Sequence, residues 1–442
     1  MVRWGIFVSR IIKSDFTLLI MYTTIQHTKK SRIMTIAAGI IGNVLEWYDF
    51  AIYGFFAPIL GKLFFPSEDP ATSLIASFGA FAAGFLMRPI GGALFGDIGD
   101  RIGRKRALNL SVMLMAIPTF LIGIMPTHAQ IGVGAAIILV LLRMLQGLSV
   151  GGEYTSSVVY LAESAPKGKQ GLFTSASMLG ATGGILLGSL LGAVITDMLS
   201  EAQLQTWGWR IPFLLGILVA GVGYLVRRHM PETISEGEKV DNPLKVMRSN
   251  WRQVLRVGGL NLLSAVAFYA LFVFVVTWLV DYVHEPRTLA LRFNSMSLLV
   301  FMAAIPLFAH LSDRIGRKPV IMGAAIALIL LSYPLFWLMH HPDERMILAG
   351  GMGLAILISA YMAPIPAKLT EMFPQNIRVS AVSVGYNLAY ALFGGTIPMI
   401  AVWLITKQHN DLAFVWYIIA AAIISLGIAW SIPDHRQDEW IA

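Results

Sequence analysis

Apolar stretches alternate with short clusters of charged and turn residues along almost the whole chain. Twelve of them approach the length of about 20 mostly apolar residues that a helix needs to cross a bilayer. They fall at 33–56, 74–96, 107–125, 131–161, 169–196, 210–228, 254–281, 293–311, 319–340, 345–368, 378–404 and 411–431. The pattern predicts an all-α membrane protein with twelve transmembrane helices. The longest internal polar stretch, near 229–252, reads HMPETISEGEKVDNPLKVMRSNW and separates the sixth crossing from the seventh. It is read as a cytoplasmic linker between two six-helix halves, 34–228 and 253–431, with a tail at 432–442. Residues 1–33 have short apolar runs broken by Arg10, Lys13 and Asp15, without the continuous apolar core and small-residue cleavage site of a signal peptide. They are read as a cytoplasmic extension, and Met1, Met21 and Met34 all stand as alternative starts.

Composition agrees with this pattern. Hydrophobic residues are 56% of the 442 positions and charged residues only 13%, about half the charged share of an ordinary soluble domain. Most of the surface must therefore face something apolar. Cysteine is absent, which removes disulfides, thiolate metal sites and thiol nucleophiles together. The net charge of +8 raises the question of nucleic acid. Its distribution answers against it. Loops after even-numbered crossings hold Arg101, Arg104, Lys105, Arg106, Arg227, Arg228, Arg314, Arg317 and Lys318, whereas the opposite loops hold few basic residues. Basic loops stay in the cytoplasm, so both termini are expected there.

An internal repeat supports the division into halves. GDIGDRIGRKR at 96–106 recurs as AHLSDRIGRKP at 309–319, each copy following the second crossing of its half. Parallel six-helix repeats mark one transporter architecture. The loop Gly96, Asp100, Arg101, Gly103, Arg104, Lys105 resembles the signature of the major facilitator superfamily. The strings GNVLEWYDFAIYGFFAP (42–58), FLMRPIGGALFGDIGDRIGRK (85–105), RMLQGLSVGGEY (143–154), WGWRIPF (207–213) and RRHMPET (227–233) narrow the resemblance to its metabolite:proton symporter family. Members of that family carry proline and glycine betaine, α-ketoglutarate, citrate or shikimate. The resemblance implies a cytoplasmic latch built from these loop residues and, in the second copy, from Asp313, Arg314, Gly316 and Arg317. It also implies a bacterial inner membrane. A purely topogenic role for the basic residues fits the same pattern.

Ionisable residues inside crossings cost roughly 2.5–3.5 kcal/mol each to insert and mark function. Glu46 and Asp49 share one face of the first crossing with Tyr53. Two ionised carboxylates this close repel, and one held protonated is what proton coupling needs; structural capping or pairing is the alternative. Arg88 stands among Gly84, Gly92 and Gly96, where it can hold a substrate carboxylate bidentately or neutralise Glu46 or Asp49. The fourth crossing carries Arg143, Gln146 and Glu153, the last two seven residues and about 10 Å apart along one face. Glu46, Asp49, Arg143 and Glu153 are the proton-coupling candidates. Arg88, Tyr53 and Gln146 are the substrate candidates of the first half; Tyr269, Tyr361, Tyr386 and Asn387 are those of the second, where aromatic faces also suit a quaternary ammonium. Glu163 is assigned to the latch region. Gly180, Gly184, Gly188 and Gly192 form a small-residue packing seam.

No GxxxxGK[ST] loop, metal-ligand spacing or nucleophile constellation stands in the chain, so neither an ATP-driven pump nor an enzyme is expected. No cofactor and no metal are expected. The leading expectation is proton-coupled symport of a small carboxylate-bearing metabolite by a monomer in the lipid bilayer. An uncoupled facilitator or antiporter of the same fold, or a metabolite sensor, are the competing classes.

Overall fold

The computed structural model describes residues 43–44, 46–92, 94, 104–228 and 249–433. The N-terminal extension, most of the 229–252 linker, the tail beyond Pro433, and Gly96, Asp100, Arg101 and Gly103 of the first loop copy lie outside the described residues. Among the described residues there are twelve long helices. They are α1 (46–64), α2 (Pro70–Gly92), α3 (Arg104–Ile124), α4 (Val133–Glu163), α5 (Gln170–Met198), α6 (Arg210–Arg228), α7 (Trp251–Asp281), α8 (Arg287–Ile315), α9 (Arg317–Met339), α10 (Glu344–Glu371), α11 (Ile377–Gln408) and α12 (Ala413–Ser431). Among the described residues nine of these are long and apolar enough to cross a bilayer by length and composition; α1, α3 and α6 complete the set. Each helix bonds its own backbone, the condition for lying in hydrocarbon.

The observed boundaries differ from the expected ones mostly by a few residues. α1 is the exception. The hydrophobic pattern ends it at 56, but the helix runs through Pro58 to residue 64, because the apolar run continues and membrane helices tolerate proline. α2 then starts at a capped end, where the Asp69 carboxylate accepts from the backbone N–H groups of Ala71 and Thr72.

Helices α1–α6 and α7–α12 form two bundles that meet mainly where α5 lies along α8 and α2 along α11. Both central helices are buried on all sides: α7 along almost its whole length, and α1 from Trp47 to Leu60. The outward rim carries exposed Ile90, Ile117, Leu187, Leu307, Leu330 and Ile424, a belt that water would not tolerate and lipid does.

Small residues set the close contacts. A Cβ on Gly147 of α4 would strike the Gly84 carbonyl of α2, and one on Gly151 would strike the Arg88 carbonyl. The α2–α4 seam is thus backbone against backbone, and it fixes the height of Arg88. On α5, Gly184 lies against the backbone of α1 at Val44 and Tyr48, Gly188 against Ala51, and Gly192 against Leu291 of α8. The glycine ladder is the packing seam its spacing predicts.

Candidate functional site between the two bundles

Several helices lose regularity at one level of the molecule. α2 has a turn at Met87, α4 is interrupted at Gly151 and Gly152, and α10 is interrupted at Ala363 and Pro364. α7 and α11 each contain a wider turn, Ala270–Phe274 and Tyr390–Gly394. Irregular backbone at membrane depth is tolerated where it lines a cavity, and wide turns of this kind recur at functional sites. Tyr269 immediately precedes the first wide turn and Tyr390 opens the second.

Arg88 stands at this level, buried between the bundles. Its Nη2 donates to Glu46 Oε1 at 3.2 Å. Its Nε and Nη1 make no hydrogen bond among the described residues, and neither does the Tyr269 hydroxyl. Around the guanidinium stand Trp47, Phe50 and Phe85 of the first bundle and Tyr386 and Tyr390 of the second, with ring centres 5.2–6.0 Å away. Trp47 stacks on Tyr269 with centroids 6.0 Å apart, and Tyr154 stacks on Tyr386 at 4.9 Å. The result is a cation with unused donors inside a cage of aromatic faces drawn from both bundles.

One turn along α1, Asp49 makes a different arrangement. Arg143 Nη1 donates to Asp49 Oδ2 at 2.9 Å and to Gln146 Oε1 at 2.6 Å. Asp49 Oδ1 accepts from Thr119 Oγ1 at 2.6 Å and from Gln146 Nε2 at 2.8 Å. The Arg143 guanidinium is covered by the rings of Tyr53 and Phe50 at 4.4 and 4.7 Å. All these groups belong to the first bundle. Two carboxylates on one face therefore do not share a site. Each has its own arginine, a division that spacing along the helix does not reveal.

The other expected site residues fall into place around these two centres. Tyr53 lies over Arg143 and donates to the Ser77 carbonyl at 3.0 Å, and Gln146 serves Asp49; neither stands against Arg88. Tyr361 donates to the Leu260 carbonyl at 2.8 Å within the second bundle. Asn387 crosses the interface to the Gly151 carbonyl at 2.5 Å, joining α11 to the break in α4. Tyr269 and Tyr386 belong to the cage. The Glu153 side chain lies outside the described ones. A small cleft below the tyrosines is lined by Tyr154, Asn261, Ser264, Met362, Tyr386 and Tyr390 among others; its free interior is about 10 Å³, near the lower limit for one water.

The second loop copy closes one end of the bundle interface. Asp313 accepts from the backbone N–H groups of Gly171 and Leu172 at 2.9 and 3.0 Å, at the N-terminus of α5. Arg317 pairs with Asp313 at 2.6 Å and with Glu371 at 3.2 Å. Gly316 between α8 and α9 has φ of 100°, a conformation that favours glycine; Arg314 is exposed. Glu163, at the end of α4, pairs with Arg378 of the second bundle at 2.9 Å. Arg104 and Lys105 open α3, and their side chains lie outside the described ones. At the opposite end Arg292 pairs with Asp197 at 3.3 Å, and Arg287 donates to the Phe55 carbonyl at 3.0 Å. Bridges between the bundles thus stand at both ends.

Sequence reasoning missed Trp47, Thr119, Tyr154, Glu371 and Arg378. Tyr154 was within reach, since it follows the Gly151–Gly152 pair that breaks α4 and adjoins an intramembrane glutamate. Thr119 and Trp47 have no local signal, because single hydroxyls and aromatics are ordinary in apolar helices.

Two bundles of six membrane helices around a buried site define a membrane transporter. The chain belongs to the major facilitator superfamily. The family model described as "Sugar (and other) transporter" matches residues 34–241, and that described as "Major Facilitator Superfamily" matches 261–441. The chain is 33% identical over 408 residues to the proline/betaine transporter of Salmonella typhimurium, covering 88% of this chain and 81% of that protein. It is 32% identical over 407 residues to a glycine betaine/proline/ectoine/pipecolic acid transporter of Dickeya dadantii, with the same coverage. Among solved structures it is similar to a D-xylose-proton symporter, with a TM-score of 0.73, 19% identity, and 91% and 98% of the two chains covered; this similarity concerns the fold.

Proposed function

We propose that the chain is a proton-coupled symporter that imports a small zwitterion of the proline and betaine type by alternating access. The observation that carries this reading is Arg88, buried between the bundles, bound through one nitrogen to Glu46, with Nε and Nη1 unused inside an aromatic cage. A substrate carboxylate takes the unused side of the guanidinium as a bidentate partner. The ammonium end lies against the tyrosine and tryptophan faces. A zwitterion matches both halves of the site, whereas an organic acid leaves the rings without a counterpart. The relatives named for proline, betaine, ectoine and pipecolic acid favour the same class.

Asp49 is the proton site in this reading. Its partner Thr119 is both donor and acceptor and also reaches the Met115 carbonyl at 2.8 Å, so it can reverse its bond when Asp49 becomes an acid. Arg143 then keeps Gln146 Oε1 and the two covering rings. Both Asp49 oxygens keep partners in either protonation state, while Arg143 Nε and Nη2 make no hydrogen bond among the described residues and lie under the covering rings. Alternating access fits the bridges at both ends: Asp313, Arg317 and the Glu163–Arg378 pair close the cytoplasmic end, and Arg292–Asp197 closes the other. The basic residues at the first of these ends support that orientation in a bacterial inner membrane, with both termini cytoplasmic. The twofold division at 229–252 supplies two bundles able to rock, and nothing in the site requires more than one copy.

Uptake into proteoliposomes with an imposed proton gradient tests this. Labelled proline and betaine are expected to accumulate uphill, and a protonophore is expected to abolish the accumulation. Equilibration without accumulation would make the chain a facilitator. Uptake of citrate or α-ketoglutarate in their place would overturn the substrate class.

A further inference from the structure

The cleft below the cage has no place in the account so far. Tyr386 and Tyr390 stand between it and Arg88: each ring is about 6 Å from the guanidinium and also lines the cleft. Most of its polar wall comes from α7, with Thr155 of α4 opposite. Ser264 is 2% exposed, and its hydroxyl makes no hydrogen bond among the described residues. Asn261 commits its Nδ2 to the Val257 carbonyl at 2.9 Å, which leaves the amide oxygen as the atom available to the cleft. A buried hydroxyl left unsatisfied costs about 1–3 kcal/mol, so its retention beside a cavity calls for a partner that arrives from outside.

The wall thus combines hydrogen-bond acceptors, Asn261 Oδ1 and the Ser264 lone pairs on one side and the Thr155 hydroxyl on the other, with three tyrosine rings, and no charged side chain among the described ones lines it. That chemistry complements an ammonium carrying N–H: the amide oxygen and hydroxyl lone pairs accept from it and the ring faces attract it. No cation among the described side chains of the wall is there to favour a carboxylate. Arg88 on the other side of the tyrosine pair has the opposite preference. The free interior is too small for a ring as it stands; Tyr386 is stacked on Tyr154 and 4.2 Å from Tyr390, so rotation of this one aromatic group enlarges it.

We propose that this cleft is the ammonium subsite, and that Asn261 and Ser264 discriminate substrates bearing N–H groups, such as a secondary cyclic ammonium, from fully alkylated ones. The inference rests on the zwitterion reading above and deepens it. A secondary ammonium donates to the two α7 acceptors. A quaternary ammonium cannot, and it uses the rings alone.

The test is competition by proline and by betaine against labelled substrate in proteoliposomes, for the unaltered chain, Ser264→Ala and Asn261→Leu. Ser264→Ala is the variant least able to disturb folding. Apparent affinity for proline is expected to fall roughly tenfold in each variant while that for betaine stays within about twofold, the effect of one lost hydrogen bond to a charged group. Equal losses for both substrates, or no loss for either in Ser264→Ala, would overturn the subsite while leaving the zwitterion reading intact. Failure of the unaltered chain to take up either substrate would overturn both.

Discussion

Two buried arginine–carboxylate pairs stand one turn apart on α1, and they differ in what they leave open. Asp49 has both oxygens occupied, by Arg143, Thr119 and Gln146, and everything around it belongs to the first bundle. Glu46 holds Arg88 through one contact, and Arg88 faces Tyr386 and Tyr390 of the second bundle. A carboxylate with both oxygens engaged inside one bundle is suited to storing a proton. A cation with spare donors where two bundles meet is suited to receiving a ligand. Neither burial nor spare donors separate the two, since both arginines are at most 1% exposed and each has two nitrogens without a hydrogen bond among the described residues. The partners do.

The comparison breaks most easily at Arg88. Arg88→Gln removes the cation and its fork, and substrate affinity measured by competition is expected to fall by at least about 100-fold, as for truncating one partner of a buried charge pair. Arg88→Lys keeps the charge without the bidentate geometry and should recover only a small part. Retained affinity in Arg88→Gln would place the substrate elsewhere.

A smaller effect separates the second pair. Asp49→Ala leaves Arg143 charged and buried, a change that costs about 3–5 kcal/mol and should appear as a lowered unfolding temperature in detergent. Adding Arg143→Gln to the same chain should restore most of it. The smallest effect belongs to Thr119→Val, which deletes one hydrogen bond worth about 1 kcal/mol. It should change the ratio of gradient-driven accumulation to exchange while leaving substrate affinity within about twofold. A fall in affinity equal to that of Arg88→Gln would erase the distinction between the pairs.

Much of this was legible in the chain itself. Apolar run lengths placed all twelve helices, because the bilayer imposes one length on every crossing. The repeated loop located Asp313 and Arg317, whose contact with α5 the fold then supplied. Intramembrane charge pointed to Glu46, Asp49, Arg88 and Arg143. Their pairing was not legible, since it depends on which faces of α1, α2 and α4 meet, and that is decided by backbone contacts at Gly84, Gly147 and Gly151. The sequence points to Tyr53 through the face it shares with Glu46 and Asp49, to Gln146 through its place on the fourth crossing and to Tyr361 as a buried tyrosine; their polar atoms go to the Ser77 carbonyl, Asp49 and the Leu260 carbonyl. Helices buried on every side, such as α7, carry no amphipathic period that tells an inward tyrosine from a packed one.

The division of labour is tested most directly by counterflow of labelled proline in proteoliposomes containing Asp49→Asn, compared with accumulation under a proton gradient. The account predicts counterflow within about threefold of the unaltered chain and no uphill accumulation. Loss of counterflow together with accumulation in Asp49→Asn, with both preserved in Arg88→Gln, would contradict it.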